Sequence, residues 1–167
     1  LEKGEARLAY LFTAGLDAVM HGATTQSAKT DQAFDWFEKQ MRDLLETAHR
    51  HYKEVRVHMF SDHGMKNTDS VSEMRLDFEK LGYRYGKDYA AVWDSTMARI
   101  WFPAGADAAV TLEIRAWFAQ RKEGRICSEQ ELRDWGCWFP DGRYGEMFYL
   151  LNNGVLFAPS YMNLHRV

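Results

Sequence analysis

The sequence predicts an α/β fold: three layers, with a mostly parallel sheet carrying helices on both faces. Three observations lead there. Two short, nearly continuous apolar runs, Ala6 to Ala14 and Val55 to Phe60, have the character of strands buried on both faces. Between them lies a long amphipathic segment, Asp31 to about His51. Strands alternating with helices imply βαβ units, in which a right-handed crossover makes the strands parallel.

In chain order, the first run reads A-R-L-A-Y-L-F-T-A and is closed by Gly15. A polar stretch, Gly22 to Lys29, precedes the long segment. Phe34, Phe37, Met41, Leu44, Leu45 and Ala48 recur there at helical spacing, with Lys39, Arg42, Asp43, Glu46 and Arg50 on the other face. The second run, V-R-V-H-M-F, ends at Ser61-Asp62-His63-Gly64. Ser70-x-x-Glu73 has the pattern of a capping box, and Gly82 is placed to stop the helix that would follow. Thr96 to Phe102 predicts a strand, and Asp107 a cap for a helix to about Lys122. A second capping box, Ser128-x-x-Glu131, heads a short helix ending near Gly136. Met147 to Leu151 and Val155 to Ala158 read as strands joined by a turn at Asn152-Asn153-Gly154.

Composition narrows the function. The chain has 167 residues, 46% of them apolar and 14% aromatic, enough to close a core without covalent staples. Its 21 basic and 24 acidic residues give a net charge of -3, so no nucleic-acid partner is expected. No apolar run is long enough to span a bilayer, so no membrane association is expected. No secretory signal pattern is legible, which tilts the expectation toward a cytoplasmic setting. Cys127 and Cys137 match no common zinc spacing and are read as reduced and structural.

Chemistry concentrates at the ends of the two predicted strands. Asp17 and His21 follow the first, and Asp62 and His63 follow the second. Ligands of open α/β sheets bind outside the carboxyl ends of the strands, so parallel neighbours would put both pairs on one rim. Each pair offers a carboxylate oxygen and an imidazole nitrogen, donors that suit Zn²⁺ first and Mn²⁺ next. The Asp17-x-x-x-His21 spacing is one helical turn, so the two side chains can converge if that segment is helical.

These motifs carry a resemblance. Ser61-Asp62-His63-Gly64-Met65 after an apolar strand resembles the metal-binding signature of the alkaline phosphatase superfamily, and Leu16-Asp17-x-x-x-His21 resembles its upstream partner. The combination is most similar to the type I phosphodiesterase/nucleotide pyrophosphatase branch. Asp94-Ser95-Thr96-Met97-Ala98-Arg99 and Gly154-Val155-Leu156-Phe157-Ala158-Pro159 resemble bacterial members of the same branch. The resemblance implies an alkaline-phosphatase-like fold and a hydrolase with two divalent ions, zinc foremost, acting on a small phosphate-ester substrate. Asp17 and His21 would belong to one ion, Asp62 and His63 to the other.

The sequence departs from that pattern at its ends. The family's nucleophile and first metal Asp precede the D-x-x-x-H motif, and no Asp stands before Asp17 here. The family's last metal His sits between glycines, whereas His165 lies between Leu164 and Arg166. The expectation is therefore that residues 1–167 form the C-terminal portion of a larger hydrolase domain, without an internal boundary, and that the isolated chain is inactive. Other hydrolases of the superfamily (phosphomonoesterase, phosphonate hydrolase or sulfatase) and a non-catalytic α/β module stand as alternatives. His58 is expected to be a core or half-buried residue, and His49 and His51 to lie on a solvated C-terminal turn of the long helix, where its dipole favours their cationic form. The aromatics Trp36, Phe37, Trp117, Phe118, Trp135 and Trp138 are expected in the core.

Overall fold

The computed structural model describes residues 6–161. The chain divides into two compact units, Leu1–Asn67 and Thr68–Val167.

The first unit is built on two helices, α1 (Gly15–Ala23) and α2 (Ala28–His51). α2 begins earlier than its apolar periodicity suggests because Ser27 caps it, its side chain accepting from the Thr30 amide. Thr30 in turn donates to the Thr24 carbonyl at 2.6 Å and is buried. The helix ends in His49, Arg50 and His51, cationic or ionisable groups at the negative end of its dipole.

The two flanking runs depart from expectation: neither Ala6 to Ala14 nor Val55 to Phe60 is a strand, and no parallel pair forms across α2. A buried strand exists only where neighbours take up its amides and carbonyls and cover both faces. Neither run has a ladder partner among the described residues. Both lie in solvent, with Leu8 89%, Phe12 70% and Phe60 82% exposed. His58, expected in a core, is exposed with its run.

The second unit holds the core. Four strands, β2 (Ala90–Trp93), β3 (Met97–Trp101), β5 (Met147–Leu151) and β4 (Gly124–Ile126), form one sheet in the order β2-β3-β5-β4, every pairing antiparallel. β1 (Ser70–Ser72) and β6 (Val155–Phe157) make a separate parallel pair. The α/β class therefore holds, with strand directions mixed. Strand alternation sorts side chains between two faces. Ala98, Ile100, Met147, Tyr149 and Leu151 point to one face, where they pack with Phe78 of α3 (Met74–Glu79) and with Ile114 and Phe118 of α4 (Ala108–Ala119). Met97, Phe148 and Leu150 point to the other, where they meet Leu132 of α5 (Glu129–Asp134) and Trp138. Helices thus lie on both faces of this sheet.

Phe78 is 1% exposed and centres an aromatic cluster, its ring 5.0–5.8 Å from those of Tyr83, Tyr89, Trp93, Trp117 and Phe118. Trp36 and Trp135 fall outside any core, at 61% and 50% exposed.

The local signals fare unevenly. Asp107 caps α4 by accepting from the Ala109 amide at 2.8 Å. The Ser128–Glu131 capping box forms with both bonds present. Ser70 and Glu73 do not form one: Ser70 is in β1, and the nearby Ser72 hydroxyl instead accepts from the Met74 amide at 3.3 Å. β5 and β6 are not a hairpin either. Gly154, at φ +86°, turns the chain away so that its carbonyl accepts from the Asp69 and Ser70 amides and β6 pairs with β1. Cys127 is buried and Cys137 exposed, both as free thiols.

Candidate metal centre

All four residues singled out by the motifs belong to the first unit. α1 supplies the first pair. Its helical spacing brings Asp17, in the first turn, and His21, in the last, onto one face, with Oδ1 and Nε2 3.5 Å apart. The second pair sits on the irregular segment after the Val55 to Phe60 run. There His63 Nε2 stands 3.7 Å from Asp62 Oδ1. The loop is held locally: the His63 amide donates to Asp62 Oδ1 at 3.0 Å, and Ser61 Oγ donates to the His63 carbonyl at 2.5 Å.

His63 Nδ1 lies 3.0 Å from the Gly64 carbonyl. A carbonyl can only accept, so Nδ1 carries the proton and Nε2 is left as the lone-pair nitrogen in the neutral ring. The Gly64 carbonyl raises the His63 pKa above the usual imidazole value, and the Asp62 and Asp17 carboxylates add to the effect. The parallel strands expected to align the two pairs are not formed.

The donors fit a small divalent cation in kind and spacing. Two ligands of one tetrahedral Zn²⁺, each about 2.0–2.2 Å from the metal, stand roughly 3.3 Å apart. Separations of 3.5 and 3.7 Å are close to that edge and long for a hydrogen bond. Asp17 Oδ1 is shut off from solvent and makes no hydrogen bond, its nearest ionisable partner being His21 Nε2 at 3.5 Å. The shell is incomplete, however. Among the described residues, no group of three or more His, Cys, Asp or Glu is arranged to hold one ion. His165 lies outside the described residues.

The second unit contributes groups with other tasks. Asp94 Oδ1 accepts from the Ser95 amide in the β2–β3 turn, at 2.8 Å. Arg99, on β3, has an Nε shut off from solvent and unpartnered. An open cleft of about 420 Å³ is lined in part by Ser70, Ser72, Glu73, Asp77, Lys122 and Asn152. Asp77 there is engaged by Lys80 Nζ at 2.9 Å, which lowers its pKa.

The fold is a mixed α/β one, with parallel and antiparallel strand pairs and helices. It is similar to the crystal structure of phosphonoacetate hydrolase from Sinorhizobium meliloti 1021 in complex with phosphonoformate, with a TM-score of 0.59 at 17% identity, over 90% of this chain and 39% of that one. The chain therefore spans about two-fifths of that protein's length. No curated protein matches the chain in sequence. Residues 1–145 match the family model of type I phosphodiesterase / nucleotide pyrophosphatase, and the chain belongs to that family. Asp17, His21, Asp62 and His63 all fall inside the matched residues.

Proposed function

We propose that this chain forms part of the catalytic domain of a metal-dependent hydrolase of phosphodiester or nucleotide pyrophosphate bonds, whose nucleophile lies outside these residues. The observation that carries the reading is that one family match spans both Asp–His pairs, each with its oxygen and nitrogen spaced as ligands of one ion. Asp17 and His21 would hold one divalent ion and Asp62 and His63 the other, zinc foremost and manganese next. Bound there, such ions supply Lewis-acid stabilisation of phosphoryl charge.

The chain's own residues prepare the site. α1 fixes the Asp17–His21 spacing through its backbone rather than through flexible loop residues. The Gly64 carbonyl holds the His63 tautomer that leaves Nε2 available. With two protein donors per ion, the shell is mostly water, so the isolated chain binds metal weakly and turns over poorly.

A second reading, a phosphonate hydrolase, draws on the structural likeness above, which speaks to fold alone. The test has two parts. Zinc titration of the 167-residue chain should give weak uptake that Asp62→Ala reduces; uptake indifferent to Asp62 and Asp17 replacement sinks the metal assignment. Bis-nitrophenyl phosphate, nitrophenyl phosphate and phosphonoacetate, offered to a protein that includes the rest of the domain, then separate the substrate classes. Turnover of the diester foremost supports the reading, and turnover of phosphonoacetate alone replaces it with the second.

A further inference from the structure

Two segments of the first unit, one behind each histidine motif, meet through a side chain. Thr25 stands four residues beyond His21, and Asn67 four beyond His63. The Thr25 amide donates to Asn67 Oδ1 at 2.8 Å, across 42 positions of sequence. A backbone amide can only donate, so the Asn67 atom that faces it is the oxygen. Both residues are half-buried.

The Thr25 side of this contact is firmly held. Thr24 has φ +68° and ψ 164°, a conformation that a residue other than glycine keeps only where its surroundings impose it. Those surroundings are hydrogen bonds. The Thr24 amide donates to the Met20 carbonyl at 3.1 Å, and the buried Thr30 hydroxyl donates to the Thr24 carbonyl at 2.6 Å. With that proton committed, Thr30 Oγ1 accepts from Oγ of Ser27, the cap of α2, at 3.1 Å. The segment carrying Asp62 and His63 is held less well. It lies in no helix or strand, and the bonds of Ser61, Asp62 and His63 close within two residues.

We propose that Asn67 is a positioning residue: through the Thr25 amide it moors the segment carrying Asp62 and His63 to the turn behind His21. The inference deepens the metal reading above and rests on it. Donors on an unmoored loop must be ordered when an ion binds, and that ordering subtracts from affinity. A mooring four residues from His63 removes part of the ordering in advance. Asp17 and His21 need no such help, because α1 sets their spacing. Asn67 therefore acts on one pair and not on the other.

NMR of the 167-residue chain tests this, first with a chelator and then in a zinc titration followed at the His21 and His63 rings. Without metal, Asn67→Ala should speed exchange of the Thr25 amide and leave the amides of α2 unchanged. With zinc, it should weaken uptake at His63 by roughly 10-fold, the lower end of what losing a supporting group costs, with uptake at His21 unchanged. Asn67→Asp, which keeps the acceptor oxygen, should restore both. Thr25 exchange indifferent to Asn67→Ala overturns the proposal. So does uptake at His63 that this variant leaves intact while Asp62→Ala lowers it. Equal loss at both rings, with α2 amides exposed, also overturns it and makes Asn67 a general support of the fold. Uptake indifferent to Asp62→Ala as well defeats the metal reading itself, and the proposal with it.

Discussion

Asp17 Oδ1 and His21 Nε2 face each other one helical turn apart on α1. The Asp62–His63 pair sits on the irregular segment after the second apolar run, and among the described residues no three such groups are arranged to hold one ion. Each pair has its own short-range geometry, 3.5 Å within α1 and 3.7 Å within the loop.

Replacing one donor of a pair should therefore weaken one ion more than the other. His21→Ala and Asp62→Ala are each expected to lower zinc affinity at the altered pair by at least the ~10–100-fold that loss of a supporting partner costs. Calorimetric titration with zinc, read as two sets of sites, checks this. Equal loss at both sets from either single variant would show that the pairs act as one site.

Asp88, a buried carboxylate paired with Arg84, contributes to the acid stability of the second unit. Two bonds from the Arg84 guanidinium, at 2.9 and 2.8 Å, and one from the Arg84 amide, at 2.8 Å, hold its pKa down to about 2. A depressed carboxylate pKa adds stability that is present above the unfolded value, about 3.9, and is lost as pH falls through the folded one. Asp88→Asn should thus lower the melting temperature at pH 7, and the gap from the parent chain should close between about pH 4 and pH 2. Thermal melts across that range decide it; a gap independent of pH would mean that the carboxylate charge is not the source.

Tyr149 is 0% exposed, and its hydroxyl finds no hydrogen-bond partner. The Gly124 amide sits beside the phenol without making a well-formed bond, and burial pushes the Tyr149 pKa up to about 12. Removing an unsatisfied buried hydroxyl relieves a desolvation cost of roughly 1 kcal/mol. Tyr149→Phe should leave chemical denaturation unchanged or shift its midpoint upward; a loss above about 1 kcal/mol would reveal a partner for that hydroxyl.

The two units should respond differently to loss of a phenyl ring. Phe78→Ala opens a cavity at the centre of the aromatic cluster and should cost about 3–5 kcal/mol. Phe60→Ala removes a ring that is 82% exposed and should change the stability of this chain by no more than about 0.5 kcal/mol. Denaturant titration followed by tryptophan fluorescence measures both.

Local chemistry was legible in the sequence because it depends on near neighbours. Ser128 and Glu131 carry their own capping box, Asp107 its own cap, and Asp17 and His21 share a helix face once α1 forms. The family, too, was legible, because its motifs are short and ordered along the chain. Pairing was not. The apolar runs at Ala6 to Ala14 and Val55 to Phe60 have the composition of buried strands, yet a strand is defined by what lies beside it, and nothing described here does. Gly154 likewise promised a hairpin, but its positive φ and the Asp69 and Ser70 amides at its carbonyl send β6 to β1. The sequence alone determined which residues offer donors and where α4 and α5 begin. Only the tertiary structure decided which strands meet, because ladder hydrogen bonds and core contacts are made between segments distant in the chain, and their energy belongs to the pair rather than to either segment.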